Sequence, residues 1–222
     1  MLNIQCSDEI KAVCPEFKGV ALEATVKNSS YCEDLWNEIG HFTIEYRNRY
    51  NVDSIKEMPS IQATRKAYKK CGKDPSRYRP SGEALCRRLL KGQDLYKVDT
   101  LVDLINLVSI ASGYSIGGFD ADKFVGTTLT LGIGRAGEPY EGIGRGDLNI
   151  EGMPVYRDEI GGVGTPTSDN ERTKLSLDTT HLLVIVNGYD GDLQHLHETL
   201  DYMKSLLQQY AEAKDFIEYQ FG

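Results

Sequence analysis

The segment from Val98 to Lys123, VDTLVDLINLVSIASGYSIGGFDADK, constrains the fold of this chain more than any other stretch. Its apolar positions cover more than one face of a helix, and they are Leu101, Leu104, Ile105, Leu107, Val108, Ile110 and Ala111. That breadth predicts a buried helix, ended by Gly113. Polar groups on a buried helix need partners, so Asp99, Asp103 and Asn106 are expected to bond other groups, at a place where the wall and floor of a pocket meet.

Helix and strand signals alternate through the rest of the chain. Strands are predicted at 2–6, 17–26, 127–131 and 179–186, and the last of these, which contains HLLVIV, is expected to be central. Helices are predicted at 31–50, 60–71, 81–90 and 191–219, besides a short one begun by Ser7 or Asp8. Ser60, Ser81 and Asp192 are the expected N-caps. The order predicts an α+β or mixed α/β fold, with helices packed over a largely antiparallel or mixed sheet.

The length of 222 residues fits one compact domain. Within it we distinguish an N-terminal strand and helix portion, 1–59, from a core and C-terminal helix, 60–222.

No apolar run approaches the length of a membrane span, and the first residues lack the pattern of a secretory signal, so a cytoplasmic location is expected. The five cysteines include no C-x-x-C pair and the four histidines have no ligand spacing, so neither a metal nor another cofactor is expected.

Charge is distributed unevenly along the chain. The overall net charge is −8, but residues 65–91 contain ten basic side chains and two acidic ones, a net +8, which leaves −16 for the remainder. This segment includes Arg65, Arg87 and Arg88, and it suits a face that orients RNA. The alternative is that two amphipathic helices simply expose these side chains to water. No DNA partner is expected.

Two glycine motifs suggest binding chemistry. Gly132 to Gly137 matches G-x-G-x-x-G, but the glycines do not open a helix, so a turn is favoured over a dinucleotide site. Gly117 and Gly118 precede Phe119-Asp120, and their amides could donate to a developing oxyanion. A tight turn with unusual dihedral angles is the alternative. No G-x-S-x-G elbow is present.

Four motifs occur in an order found in a known family: PSGEALCRRLLKG at 80–92, the VDLIN and GGFDAD motifs of the opening segment, and RTKLSLDTTHLLVIV at 172–186. Over about residues 60 to 190 the chain resembles the B3/B4 domain of the bacterial phenylalanyl-tRNA synthetase beta subunit, and more closely the free-standing B3/B4-domain proteins. The resemblance implies an editing module that accepts the 3′ end of a mischarged tRNA and hydrolyses the aminoacyl ester. It also implies that Asn106, in the V-D-x-x-N motif, lines the pocket. It implies no aminoacylating ligase.

The sequence departs from the synthetase pattern at two positions. The synthetase motif H-A-F-D-x-D is replaced by Gly117-Gly118-Phe119-Asp120-Ala121-Asp122, so the pocket histidine is missing, and the glutamate that ends the synthetase strand has no match within 182–186. The free-standing relatives commonly carry the same glycine pair.

Our first hypothesis is therefore an aminoacyl-tRNA deacylase acting in trans. Asn106 would position the substrate, and Gly117 and Gly118 would supply amides. The side chains expected to contact tRNA or substrate are Arg65, Arg87, Arg88, Asp120, Arg135 and Arg172. A second hypothesis is a non-catalytic module that binds tRNA, an amino acid or another small molecule.

A third hypothesis is an enzyme on an unrelated small substrate. It would use Asp99, Asp103, Asp120 or Asp122 as acid or base, although Asp120 and Asp122 are expected to brace their turn.

Overall fold

A computed structural model describes residues 2–222. The helices are α1 Asp8–Val13, α2 Glu33–Arg49, α3 Pro59–Lys70, α4 Ser81–Leu90, α5 Thr100–Ser112 and α6 Leu193–Tyr210. The strands are β1 Asn3–Cys6, β2 Lys18–Thr25, β3 Ile116–Asp120, β4 Thr128–Ile133, β5 Glu141–Gly142, β6 Gly146–Asp147, β7 Pro154–Arg157, β8 Gly162–Gly164, β9 His181–Gly188 and β10 Lys214–Phe221.

The strands form two four-stranded sheets and one short hairpin. The first sheet has the order β10-β2-β9-β3, and all its pairs are antiparallel. The second has the order β1-β4-β7-β8, in which β1 runs parallel to β4 and the other pairs are antiparallel. Strands β5 and β6 pair with each other. The predicted α+β class is confirmed, and the predicted 179–186 strand is indeed internal to its sheet.

The inner strands of the first sheet, β2 and β9, are buried on both faces, which explains why β9 is apolar along nearly its whole length. Leu182, Val184 and Val186 belong to a core shared with α2, α4, α5 and α6, whereas Leu183 and Ile185 belong to a core shared with the second sheet. Successive side chains of a strand point to opposite faces, so a strand between two cores needs apolar residues at both parities. The molecule therefore has three layers: helices, first sheet, second sheet.

The predicted buried helix is α5. Its core-facing side chains include Leu101, Leu104 and Leu107, each fully buried, and Gly113 ends it in the left-handed conformation with φ of 76°. Its acidic residues have the partners that burial requires. Asp99 caps the helix by accepting from the Val102 amide at 2.9 Å, and Asp103 accepts from Trp36 Nε1 at 2.7 Å.

Two predicted N-caps are wrong. The cap of α3 is Met58, with Pro59 in the first turn, and the Ser60 hydroxyl instead donates to the Ser112 carbonyl at 3.0 Å. The cap of α4 is Pro80, whose side chain has no group that could bond a helix amide. Pro59 is the first residue of α3, where proline is favourable because it has no amide hydrogen to leave unpaired. The Asp192 cap of α6 is confirmed, since its side chain accepts from the His195 amide.

The predicted closing helix is too long. It ends at Tyr210, and the residues after it form β10, which pairs with β2 along the edge of the first sheet. The glycine-rich segment after β4 leads into β5 without a helix, as the turn interpretation expects. Within residues 2–222, none of the helices combines the length and the apolar character that crossing a bilayer requires.

Candidate functional site

A cavity of about 460 Å³ lies where α4, α5 and β3 meet the loops after β5, β8 and the 3-10 turn that ends at Thr173. Its apolar lining consists of Leu85, Val98, Val102, Ile105, Ile116, Ile143 and Leu175. Ile105 and Ile116 are buried, whereas Val98, Ile143 and Lys174 are exposed, so the latter three lie at the mouth. A largely apolar concave site with a few polar groups is typical of a small-molecule pocket.

Asn106, which the family resemblance places at a pocket, is among the residues that line this cavity. It is half-buried, and among residues 2–222 its carboxamide has no hydrogen-bond partner. Most other polar side chains of the lining are already engaged: Ser109 with the Tyr114 carbonyl, Asp99 with the Val102 amide, Thr165 with the Ser168 carbonyl, and Lys174 with Glu171. A carboxamide can both donate and accept, so Asn106 is suited to orient a bound polar group.

Asp169 is a second polar residue of the lining, and the sequence did not single it out. Its Oδ2 accepts from the Gly118 amide at 3.3 Å. Burial raises the pKa of the Asp169 carboxyl from its ordinary value to about 7, and the Gly118 hydrogen bond opposes that rise only in part. A carboxyl of this pKa is divided between its acid and base forms near neutral pH, which is the property a general base needs.

The glycines of β3 and β8 leave room for neighbouring side chains, mainly the Phe119 ring and Ile105. A Cβ on Gly117 would lie 3.5 Å from Asp169 Oδ1, and a Cβ on Gly164 would lie 3.1 Å from the same atom, besides much closer contacts of both with the Phe119 ring. A Cβ on Gly118 would lie 2.5 Å from Ile105 Cδ1. Gly118 lines the cavity and Gly117 does not. The Gly118 amide, expected to be open to substrate, is bonded to a carboxylate that itself faces the cavity.

The predicted cationic contacts lie outside the cavity lining. Arg65 Nη1 and Arg87 Nε bond the carboxylate of Glu83 at 2.8 and 2.7 Å, and Arg79 Nε lies 3.6 Å from it. Glu83 is fully buried. Since successive helix residues are 100° apart, Glu83 and Arg87 project from the side of α4 opposite to its cavity residues Ser81 and Leu85. This part of the basic segment therefore holds its own structure together.

The remaining predicted contacts are also placed elsewhere. Arg172 forms a two-pronged bond to Asp158 at 2.9 and 2.8 Å, and Arg135 lines a separate cleft with Glu138. Asp120 accepts from Thr179 Oγ1 at 3.0 Å and lies 3.1 Å from Lys123 Nζ, so it braces its turn. Arg88 lies against the Tyr96 ring and is not part of the lining. Across residues 2–222, no three His, Cys, Asp or Glu side chains group closely enough to hold a metal ion.

Comparisons with known proteins agree with this architecture. Residues 63–212 match the family model described as the B3/4 domain, and all the cavity-lining residues lie within that range. The fold is similar to that of an N-terminal fragment of the phenylalanyl-tRNA synthetase beta-subunit from Pyrococcus horikoshii, with a TM-score of 0.53 and 12% sequence identity. The similarity covers 99% of this chain but 54% of that fragment, so the chain spans about half its length. No curated protein matches the chain.

Proposed function

The chain belongs to the B3/4 domain family, and from this premise we propose that it is an aminoacyl-tRNA deacylase that acts on tRNA in trans. The ester to be hydrolysed joins a mischarged amino acid to the 3′-terminal ribose. The observation that carries the proposal is Asp169, a carboxyl of raised pKa inside a largely apolar cavity that also contains Asn106.

The proposed reaction begins with water held by the ionised Asp169 carboxylate. Asp169 takes one proton from the water while the water oxygen bonds to the ester carbonyl carbon. The carbonyl oxygen then becomes negatively charged. When the tetrahedral intermediate collapses, the bond to the ribose oxygen breaks and Asp169 returns the proton to that oxygen. The products are the free amino acid and an uncharged tRNA. General base catalysis of this kind typically accelerates a reaction 10²- to 10⁴-fold.

Asn106 positions the aminoacyl group in this proposal. Its carboxamide is free to bond the amino group or the ester carbonyl, while the apolar side chains receive the side chain of the amino acid. Placing water and ester side by side contributes further, because an aminoacyl ester is an already activated bond and positioning alone lowers the barrier.

The test is release of labelled amino acid from a panel of mischarged tRNAs. We expect at least one pair to be hydrolysed faster than in buffer, and Asp169→Asn to lose most of that rate. Asp53→Asn is the matched control, since Asp53 is an exposed carboxylate paired with Lys56. Release no faster than in buffer for every pair would reject the proposal.

A second candidate function is non-catalytic binding of a free amino acid or a similar small molecule. The observation that favours it is that few basic side chains near the cavity are free to bind phosphates. Lys174 is the basic side chain of the lining among residues 2–222, and it is paired with Glu171. Arg65 and Arg87 are held by Glu83. Saturable binding of a free amino acid, with no hydrolysis of any mischarged tRNA, would support this alternative.

A further inference from the structure

An exposed aromatic and cationic strip borders the mouth of the cavity. It lies in the segment between α4 and α5, where Leu95 is buried in the core while Tyr96, Lys97 and Val98 face solvent. The Tyr96 side chain is 66% exposed, and Val98 is part of the cavity lining. Two extended residues span at most about 7 Å, so Tyr96 lies within roughly one nucleotide step of the cavity mouth.

The Tyr96 ring is held in place by an arginine. The Arg88 guanidinium carbon lies 3.8 Å from the ring centroid, and Arg88 Nη1 donates to the Tyr96 hydroxyl at 2.9 Å. Arg88 is itself fixed by donation from Nε to the Asp94 carbonyl. The guanidinium covers one face of the ring, and the high exposure of Tyr96 leaves surface for another planar group.

A second cation and a second tyrosine continue the strip. Lys97 Nζ lies 4.7 Å from the centroid of the Tyr31 ring, and Tyr31 is 47% exposed. The exposed acid nearby, Asp94, lies 3.6 Å from Arg47 Nη2, so its charge is offset. Within residues 2–222 neither Arg88 nor Lys97 forms a salt bridge, and solvent-facing aromatic rings interleaved with such cations match the requirements of single-stranded nucleic acid, whose bases stack and whose phosphates are negative.

We propose that Tyr96, with Arg88 and Lys97, binds the unpaired 3′ end of an RNA, and that an unpaired base stacks on the Tyr96 ring next to the cavity mouth. The assignment of this RNA to tRNA rests on the proposed function. In that arrangement the terminal ribose reaches Val98 while the nucleotide before it lies over Tyr96, and Lys97 and Arg88 each contact a phosphate. Stacking is tolerant of base identity, so the strip supplies affinity and placement rather than sequence reading.

The experiment measures two quantities on the same variants. Fluorescence anisotropy gives the affinity for a labelled single-stranded RNA that ends in CCA, and a separate assay follows hydrolysis of small aminoacyl esters that contain no RNA. We expect Tyr96→Ala to weaken RNA binding about tenfold. Tyr96→Phe, which keeps the ring and loses the bond from Arg88, should retain most of the affinity. Ile160→Ala, at an apolar side chain of similar exposure outside the strip, should change nothing.

The two assays separate this inference from the proposed function. If Tyr96→Ala leaves the RNA affinity unchanged and ester hydrolysis is intact, the proposed RNA binding by the strip is wrong, whereas the deacylase proposal is unaffected. RNA binding that depends on Tyr96, without hydrolysis of any ester or mischarged tRNA, would support the strip and reject the deacylase. Should wild-type protein bind no RNA but capture a peptide through Tyr96, the surface is a protein interface and the inference is wrong.

Discussion

At the scale of single residues, the proposed reaction depends on a carboxyl whose pKa is raised by burial. Asp169 has the Gly118 amide as its hydrogen-bond donor and otherwise sits where burial raises its pKa to about 7. The ionised form is the one that accepts a proton from water. Activity should therefore follow the fraction of Asp169 that is ionised.

We expect kcat/KM for aminoacyl ester hydrolysis to rise about tenfold per pH unit below pH 6 and to level off above about pH 7.5, after correction for the spontaneous rate. The measurement is initial rate against pH on a small ester, which avoids changes in tRNA binding. A profile that stays flat from pH 5 to 8 would show that Asp169 is not the base.

The same pKa makes a prediction about folding. A carboxyl whose pKa is higher in the folded than in the unfolded chain holds its proton more tightly when folded, so stability falls as pH rises from about 4 to about 7. Asp169→Asn lacks this loss. We expect the variant to be about 1–3 kcal/mol more stable than wild type at pH 8 and similar to it at pH 4.

Urea unfolding at both pH values measures that difference. If Asp169→Asn changes the free energy of unfolding by the same amount at pH 4 and pH 8, the raised pKa is contradicted, whether that change is stabilising or destabilising. A more stable but inactive variant would show that the cavity keeps an unfavourable charge for the sake of chemistry.

Asp169 also shows what the sequence could not provide. It occurs in Thr-Ser-Asp-Asn, and short polar residues of this kind usually bond their own turn. Only the pairing of β3 with β9 and the return of the loop after β8 bring it to Gly118. Asn106 was expected at the pocket, by contrast, because the V-D-x-x-N motif resembles that of the B3/B4 domain; the residues alone indicated only that a polar group on a buried helix needs a partner.

At the scale of elements, α4 carries a buried acidic anchor. Glu83 forms salt bridges with Arg65, Arg79 and Arg87, whose side chains are between 21% and 42% exposed. Arg65 comes from α3, so this carboxylate joins two helices as well as bracing its own. Removing it leaves partly desolvated guanidinium groups without a counter-charge.

We expect Glu83→Ala to lower the free energy of unfolding by about 1–3 kcal/mol, less than for a fully buried pair because the arginines reach water. Thermal melts at neutral pH report the loss. Asp53→Ala, which breaks an exposed pair with Lys56, is the control and should leave Tm unchanged. A Glu83→Ala variant with unchanged Tm would mean that the arginines find other partners.

Among the elements, β10 was missed although a signal exists. Ile217, Tyr219 and Phe221 alternate with polar residues, the period of a half-buried edge strand. The preceding helical repeat extends naturally toward it, and the break occurs at Ala211 to Ala213 without a proline or glycine, where Glu212 has a φ of 48°. A left-handed non-glycine residue is a stop that sequence patterns rarely reveal.

At the scale of the whole molecule, the net charge of −8 opposes a polyanion, whereas the strip at the cavity mouth attracts it locally. These two effects respond to salt in opposite directions. Screening weakens the long-range repulsion, and added salt also weakens phosphate contacts by reducing the gain from counterion release.

We expect the local contacts to dominate. With two phosphates contacted by Arg88 and Lys97, affinity for single-stranded RNA should fall about sevenfold between 50 and 200 mM salt. Anisotropy titrations at several salt concentrations give the slope. Affinity that rises with salt would indicate that the overall charge governs the encounter and that the strip makes no phosphate contacts.

The position of β2 has a consequence for how the polypeptide acquires this shape. Its residues, 18–25, lie between β9 and β10, which come from the last quarter of the chain. Pairings so distant in sequence carry a large loop-closure entropy and are associated with slow folding. A nascent chain leaving the ribosome would hold an apolar strand with no mate until synthesis is nearly finished, so early helices must form against an incomplete sheet.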